Sequence, residues 1–211
     1  MVRFITFEGG DGTGKTTQIQ IVERYLRDLN RAYVLTREPG GTTLGKMLRK
    51  LLLEAGDQEI ASSAELFLYL ADRAQHVQEI IGPALAAGKI VLCDRFIDST
   101  VAYQGYGRGI DLAWLRRLND DATQGLRPDL SFLFDCPVNV GLARAARRGT
   151  RSSRLEKDRF EREQIEFHEK VRRGFLELAH ADTKRFRIID AALPMAEVAR
   201  QIRAILDREI D

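Results

Sequence analysis

Short runs of apolar residues alternate along the chain with stretches whose apolar positions recur every three or four residues. The apolar runs cover residues 4–7, 33–36, 90–93, 130–134 and 186–189. Runs of this length are typical of strands buried on both faces, and the intervening helical period predicts segments that cross back over a sheet. This alternation of strands and helices predicts an α/β fold built on a parallel sheet.

One helix start and two loops are also predicted from local patterns. Ser62 and Glu65 have the spacing of a capping box, which predicts the beginning of a long helix that Gly82 and Pro83 end or bend. Glycines and basic residues crowd the segments 105–109 and 147–154. Such composition predicts surface loops.

Length and charge narrow the class of protein. The chain has 211 residues, which suits a single domain over residues 1–211. Lysines and arginines number 33 against 31 aspartates and glutamates, so the net charge of +2 gives no reason to expect a nucleic acid or a membrane as partner. No stretch approaches the roughly 20 apolar residues of a membrane span, and the first residues do not resemble a signal peptide. We therefore expect a cytoplasmic protein.

The histidines and cysteines do not predict a metal centre. His76, His168 and His180 lack ligand spacing with one another or with the two cysteines, so structural roles are expected for them. Cys93 and Cys136 lie in or beside apolar runs, where a thiol usually acts as a small buried side chain.

The first apolar run leads into a phosphate-binding motif. Gly9, Gly14, Lys15 and Thr16 fit the pattern GxxxxGK[ST] between a predicted strand and a predicted helix. Glycines let backbone amides turn toward phosphate oxygens at the positive end of the helix. In such a loop the lysine reaches the β and γ phosphates of a nucleotide and the hydroxyl ligates Mg²⁺. The alternative is an ordinary glycine-rich turn before a helix.

Polar residues that follow the next two apolar runs indicate what the nucleotide is used for. Asp94 ends the third run, where a carboxylate can hold the water shell of Mg²⁺, and Arg95 comes next. Arg37 follows the second run, so it too lies at the carboxyl edge of the sheet, where α/β proteins bind ligands. A GTPase switch would carry a guanine-reading NKxD motif, and the nearest approximation, which begins at Asn119, lacks the lysine.

These two arginines favour an acceptor that itself carries a phosphate. Two polyanions repel each other, and guanidinium groups can bring them together because they clamp phosphates with paired hydrogen bonds. Arg37 and Arg95 are placed to do this. An acceptor phosphate is already ionised near neutral pH, so it needs no dedicated general base. The residues therefore predict a kinase that works by positioning and charge neutralisation.

Six blocks of sequence resemble the thymidylate kinase family. They are FEGGDGTGKTT at 7–17, TREPGGT at 36–42, LADRAQH at 70–76, DRFIDSTVAYQG at 94–105, RPDL at 127–130 and FHEKVRRGFLELA at 167–179. The block at 94–105, together with REPGGT, points to this family rather than to nucleoside monophosphate kinases in general. The resemblance implies a P-loop NTPase fold with five parallel strands in the order 2-3-1-4-5, a homodimer, and transfer of the γ-phosphoryl group of ATP to dTMP with Mg²⁺.

The resemblance also implies a set of catalytic and donor-binding residues. Lys15, Asp94, Arg95 and Arg154 are implied as catalytic, with Thr16 and Asp94 at the metal. The residues implied for ATP and its phosphates are Gly9, Gly10, Asp11, Gly12, Thr13, Gly14, Lys15, Thr16, Thr17, Arg148 and Arg151.

For dTMP, the resemblance implies separate contacts to phosphate and sugar. Arg37 and Arg95 would hold the acceptor phosphate, and Asp11 would contact the 3′-hydroxyl. Tyr103 would crowd the 2′ position and so favour deoxyribose.

The thymine base is implied to have four contacts of its own. Tyr69 would stack on the ring, at a position where the family commonly has phenylalanine, and Arg73, Thr100 and Gln104 would hydrogen-bond the base.

A lid is implied by what the P-loop lacks. Gly12 stands where some family members carry an arginine, so the resemblance implies a cation supplied from a lid at about residues 147–158. Arg154 is the first candidate, ahead of Arg148 and Arg151, and a Gly12→Arg replacement is expected to restore the cation from the P-loop side. The helical spacing of Arg144, Arg147, Arg148 and Arg151 also fits a solvated face or a nucleic-acid surface.

Two other functions remain open at this point. One is a kinase for a different nucleoside monophosphate. The other is a nucleotide-dependent switch or binding module, which would bind its nucleotide tightly and turn over slowly without an acceptor.

Overall fold

A parallel sheet lies at the centre of the molecule. The computed structural model describes residues 2–53, 59–151, 159–160 and 163–210, without the side chains of 148–151. In this part of the chain the sheet contains β1 (Phe4–Glu8), β2 (Tyr33–Arg37), β3 (Ile90–Asp94), β4 (Leu130–Asp135) and β5 (Phe186–Asp190). The strand order is β2-β3-β1-β4-β5 and all neighbours are parallel. The predicted α/β class, the strands and their order are confirmed.

Helices connect the strands and cover the sheet. In the described residues they are α1 (Lys15–Asp28), α2 (Thr43–Leu53), α3 (Ser62–His76), α4 (Gly82–Ala86), α5 (Ile97–Thr100), α6 (Leu112–Thr123), α7 (Val138–Arg151), α8 (Ile165–Ala181) and α9 (Met195–Glu209), with π-helical segments Val77–Ile81 and Val101–Gly107. None of these helices has the length and apolar character that a membrane span requires.

Strand β1 is buried on both faces of the sheet. Ile5 and Phe7 belong to the cluster that includes Leu26 of α1. Phe4 belongs to a second cluster with Ile81. Because successive side chains of a strand point to opposite faces, helices on both sides of the sheet bury this strand completely.

The strand register brings three loops to one edge of the sheet. Phe7 of β1 and Arg37 of β2 both lie level with Asp94 of β3. The loops that follow β1, β2 and β3 therefore begin side by side at the same edge of the sheet, and Arg95 is the first residue of the third loop.

The predicted capping box at the start of α3 is wrong. Ala61 is the N-cap, with φ −56° and ψ 140°, and no side chain caps the helix. Glu65 instead turns its carboxylate toward other elements, where amide and guanidinium donors bind it. These charge-assisted bonds take the place of the local hydrogen bond that the sequence pattern predicted.

The predicted surface loops are also partly helical. Gly105 is buried in a π-helical segment, where an added Cβ would lie 2.5 Å from a side-chain methyl group of Leu112. Helix α7 continues to Arg151, and residues 152–154 lie outside the described residues. Gly82 and Pro83 do not end the preceding helical path, since the amide of Gly82 donates to the Val77 carbonyl of the π-helical segment and α4 follows directly.

Candidate active site

The loop between β1 and α1 has the backbone of a phosphate cradle. Gly9, Gly12 and Gly14 have φ values of 131°, 73° and 86°. Side chains are disfavoured at positive φ, so the glycines permit this path. Gly14 is the N-cap of α1 and has no side chain to block the amides of the first turn. These amides and the helix dipole face the space where an anion binds.

Lys15 reaches back into this loop. Its Nζ donates to the carbonyl oxygens of Gly9 at 2.9 Å and Gly10 at 2.6 Å, and to Oγ1 of Thr13 at 3.3 Å. Burial, with a further contribution from Arg95, lowers the pKa of Lys15 to about 8. Negative phosphate oxygens would hold this amine in its charged form.

The P-loop touches α7 backbone to backbone. A Cβ on Gly12 would lie 1.8 Å from the carbonyl oxygen of Gly141, and a Cβ on Gly141 would lie 2.6 Å from the carbonyl oxygen of Asp11. This contact argues against the expected Gly12→Arg rescue, since a side chain at this position requires the P-loop or α7 to shift.

Two residues fit a magnesium ion at this edge. Oδ1 of Asp94 is buried and has no hydrogen-bond partner among the described residues, so an acceptor remains available beside Lys15. Thr16 is exposed at the first turn of α1. The described part of the chain contains no cluster of three or more acidic, histidine or cysteine ligands. This donor set suits Mg²⁺, which keeps several waters and uses few protein ligands beside substrate phosphates.

A cavity next to the P-loop collects most of the residues predicted for the acceptor. Its lining includes Asp11, Tyr69, Arg73, Arg95, Thr100, Tyr103 and Gln104. Arg37 is exposed at the end of β2 and does not line the cavity. Arg49 of α2, which sequence reasoning missed, does line it, and its Nη1 donates to the carbonyl oxygen of Pro39 at 2.9 Å.

Arg95 links this cavity to the P-loop. Its backbone has φ 68°, and its guanidinium donates to Gly9 O at 2.9 Å and to Asp11 Oδ1 at 2.7 Å. The Tyr103 ring lies 5.1 Å below it, and the Tyr103 hydroxyl donates to Asp11 at 3.1 Å. Burial alone would lower the pKa of Arg95, but Tyr103 and Asp11 outweigh burial and raise it, so the guanidinium stays charged.

Glu8 fixes the turn that carries Arg95. One carboxyl oxygen accepts from the amide of Phe96 at 2.8 Å, and the other from Ser99 Oγ at 2.6 Å. Ser99 Oγ also accepts from Arg95 at 3.3 Å. Burial, followed by the charge of Asp98, raises the pKa of Glu8 to about 8. A buried carboxyl therefore holds a left-handed arginine in place, although this residue type rarely adopts positive φ.

Arg73 is fully enclosed. Its Nε donates to Glu38 at 2.8 Å, and Nη1 donates to Thr100 Oγ1 at 2.8 Å and to Asn119 Oδ1 at 2.6 Å. Nη2 donates to the Phe96 carbonyl at 3.1 Å. Arg73 is 1% exposed and still lines the cavity, and its four protein partners fix the direction of the guanidinium.

A second buried network supports the loop after β2. Nδ1 of His76 is hydrogen-bonded to Glu38 at 2.9 Å, and Nε2 to Thr36 Oγ1 at 2.6 Å. Asp72 accepts from the amide of Gly40 at 3.1 Å, and burial, reinforced by Glu38, raises the pKa of Asp72 to about 6. This placement agrees with the structural role predicted for His76.

The lid arginines cannot be placed in this geometry. The side chains of Arg148 and Arg151, and the whole of Arg154, lie outside the described residues. Arg144, one turn earlier on α7, donates to the carbonyl oxygen of Ala191 at 2.6 Å and so ties α7 to the loop after β5.

Sequence reasoning missed the acidic partners of the site. Glu8, Glu38 and Glu65 are each buried and each binds a residue that was predicted or a turn that carries one. The one sequence feature that could have indicated these residues is that each is an isolated acidic residue within an apolar run or a recognised motif. No spacing rule indicated its partner.

A phosphate loop and an adjoining arginine-bearing cavity at one sheet edge define a P-loop kinase for a small phosphorylated acceptor. The family model "Thymidylate kinase" matches residues 7–202. The chain is 53% identical to the thymidylate kinase of Desulfovibrio desulfuricans over 97% of this chain and 94% of that protein. It is 51% identical to the thymidylate kinase of Geotalea uraniireducens over 95% of this chain and 94% of that protein. The crystal structure of thymidylate kinase from Ehrlichia chaffeensis superposes with a TM-score of 0.78, at 38% identity over 97% of this chain and 98% of that one. The chain belongs to the thymidylate kinase family.

Proposed function

We propose that this chain transfers the γ-phosphoryl group of ATP to dTMP, giving dTDP and ADP, through the residues assembled at the carboxyl edge of its sheet. The observation that carries the assignment of sites is the cavity beside the P-loop, which seven of the eight predicted dTMP residues line. Asp11 and Arg95 belong to both regions, so donor and acceptor meet there.

On the donor side, the amides of residues 9–17 hold the phosphates of ATP and Lys15 neutralises their charge. Thr16 and Asp94 hold Mg²⁺, with the buried free oxygen of Asp94 as the supporting observation. When bound, the ion would neutralise part of the negative charge of the ATP phosphates. Arg154, with Arg148 and Arg151, supplies a lid cation to the transferring group.

On the acceptor side, Arg95 holds the dTMP phosphate and Arg37 approaches it from β2. Asp11 accepts from the 3′-hydroxyl, and Tyr103, packed against Arg95, crowds the 2′ position. No general base is required, since the acceptor oxygen is already ionised.

At the base, Tyr69 stacks on the thymine ring, and Arg73, Thr100 and Gln104 bind its polar edge. The enclosure of Arg73 supports this role, because a buried guanidinium with fixed direction can discriminate between an acceptor and a donor on the base.

The active form is a homodimer of single-domain subunits, each spanning residues 1–211 with its lid at about 147–158. Leu44, Met47 and Leu51 of α2 are 41%, 61% and 57% exposed, and Phe67 of α3 is 51% exposed. A second copy of the chain would cover these side chains. Sedimentation velocity tests the assembly, and a monomer at micromolar concentration contradicts it.

The free buried thiols Cys93 and Cys136 suit the reducing cytoplasm, where we place the enzyme.

A coupled assay of ADP release tests the reaction. We expect the highest kcat/KM with dTMP in a series that also contains dUMP, dCMP, dGMP and AMP. Preference for a purine monophosphate would show instead that the chain is a kinase with a different acceptor specificity. Equal ADP release with and without an acceptor would support a switch or binding module instead.

A further inference from the structure

Glu65 is a buried acceptor shared by three donors. Its carboxylate is fully enclosed in the first turn of α3 and accepts from Nε2 of Gln104 at 2.8 Å. Arg108 approaches it at 3.4 Å, and Arg159 also forms an ion pair with it. With two guanidinium groups and an amide as its partners, this side chain acts only as an acceptor.

This contact decides which end of the Gln104 carboxamide faces Glu65. The oxygen and the nitrogen of a glutamine amide have similar shapes, so the hydrogen-bond network must assign them. A carboxylate cannot donate, and an oxygen of Gln104 facing it would meet like charge. The NH₂ group of Gln104 therefore points to Glu65. Its Oε1, for which no hydrogen-bond partner is found among the described residues, remains available to a ligand in the cavity that Gln104 lines.

We infer that Glu65 is a positioning residue for base specificity, which holds Gln104 with its carboxamide oxygen toward the base. This inference rests on the proposed function of the same site. Thymine and uracil carry a hydrogen on N3 that this oxygen accepts. Cytosine carries a lone pair on N3, so the same oxygen repels it. The selectivity comes from a residue that does not touch the substrate.

The test compares two substrates of nearly equal shape, dTMP and 5-methyl-dCMP, which differ in the donor and acceptor pattern at N3 and C4. Glu65→Gln keeps the volume of the side chain but offers a donor as well as an acceptor, so the Gln104 amide can turn over. We expect the ratio of kcat/KM for dTMP over 5-methyl-dCMP to fall about tenfold or more, the size of one buried hydrogen-bond mismatch. The change should appear mainly in KM.

Glu163→Gln is the matched control. Glu163 also pairs with Arg108, at 2.6 Å, but no bond joins it to Gln104 among the described residues. The control therefore weakens the same arginine and should leave the substrate ratio unchanged. The double variant Glu65→Gln with Gln104→Glu exchanges the two groups, keeps the net charge and again presents an oxygen to N3. We expect it to recover most of the ratio.

An unchanged ratio in Glu65→Gln, or an equal fall in Glu163→Gln, would overturn the inference. The unmodified chain provides a test that does not depend on how the variants fold, since it must reject both 5-methyl-dCMP and N3-methyl-dTMP. Comparable turnover of these two and dTMP also overturns the inference. If the unmodified chain does not phosphorylate dTMP at all, the proposed function itself fails.

Discussion

The contact between Gly12 and α7 makes a quantitative prediction about Gly12→Ala. The added Cβ would lie 1.8 Å from the Gly141 carbonyl oxygen, 2.6 Å from its carbon and 3.1 Å from the amide nitrogen of Ala145. These are backbone atoms of a helix, so no side chain can turn aside to admit the methyl group. The variant must shift the P-loop away from α7.

Two costs add in this variant. Alanine in the left-handed region costs about 1–2 kcal/mol. Overpacking costs a further ~1–3 kcal/mol. The total of about 2–5 kcal/mol corresponds to a fall in Tm of roughly 4–20 °C for a domain of this size.

Gly88→Ala is the control, because Gly88 has the same φ of 73° and no atom within 4 Å of an added Cβ. It carries only the backbone cost, about 1–2 kcal/mol, and the loss of unfolded-state entropy is the same in both variants. Calorimetric unfolding of the two variants without nucleotide measures the difference. Equal Tm values would refute the argument, since the collision with α7 would then contribute nothing.

Three further outcomes are expected. Arg154→Ala should lower kcat by a factor of about 10³–10⁵ while leaving the Kd for dTMP nearly unchanged. Pre-steady-state turnover and equilibrium binding measure the two quantities. An equal fall in affinity would assign this arginine to the acceptor. Tyr69→Ala should lose about 1–3 kcal/mol of dTMP binding free energy in calorimetric titration, whereas Tyr69→Phe should bind dTMP like the parent. If the alanine variant also binds dTMP like the parent, another residue stacks on the base. Glu8, whose pKa rises from 4.5 to about 8 on folding, keeps its proton in the folded state after the unfolded chain has lost it, so stability should fall as pH rises between these values. Urea unfolding at pH 5 and pH 8 should show a smaller change for Glu8→Gln, and an identical change would contradict the role of this carboxyl.

The features predicted well from sequence are those that local periodicity or a compact motif determines. The apolar runs predicted each strand to within one residue at its carboxyl end, because a run of four or five apolar residues is long enough for a strand and too short for a helix. The P-loop was equally clear, since its glycines and Lys15 are close in sequence and act on the same phosphates.

The features missed depend on contacts between distant segments. Glu65 fits a capping box by spacing, yet its partners Gln104 and Arg108 lie about 40 residues away, and those bonds outcompete the local one. Gly12 and Gly141 are likewise joined only by the fold. No pattern of residue types predicts that two backbones will touch, so the steric obstacle to a side chain at Gly12 could not be predicted from the sequence.

If Arg95 holds the acceptor phosphate as we propose, its ion pair with Asp11 makes substrate binding an exchange of partners. Both groups are already satisfied by each other, with Tyr103 as a third member, so an incoming phosphate gains only the difference between its own attraction for Arg95 and that of Asp11. Asp11 would then keep the Tyr103 hydroxyl as a donor but lose the guanidinium of Arg95, which is costly for a carboxylate that is only 18% exposed. A nucleotide whose 3′-hydroxyl donates to Asp11 repairs that loss, whereas free phosphate or a 3′-deoxy nucleotide does not. We therefore expect the site to discriminate against anions that offer a phosphate without a 3′-hydroxyl.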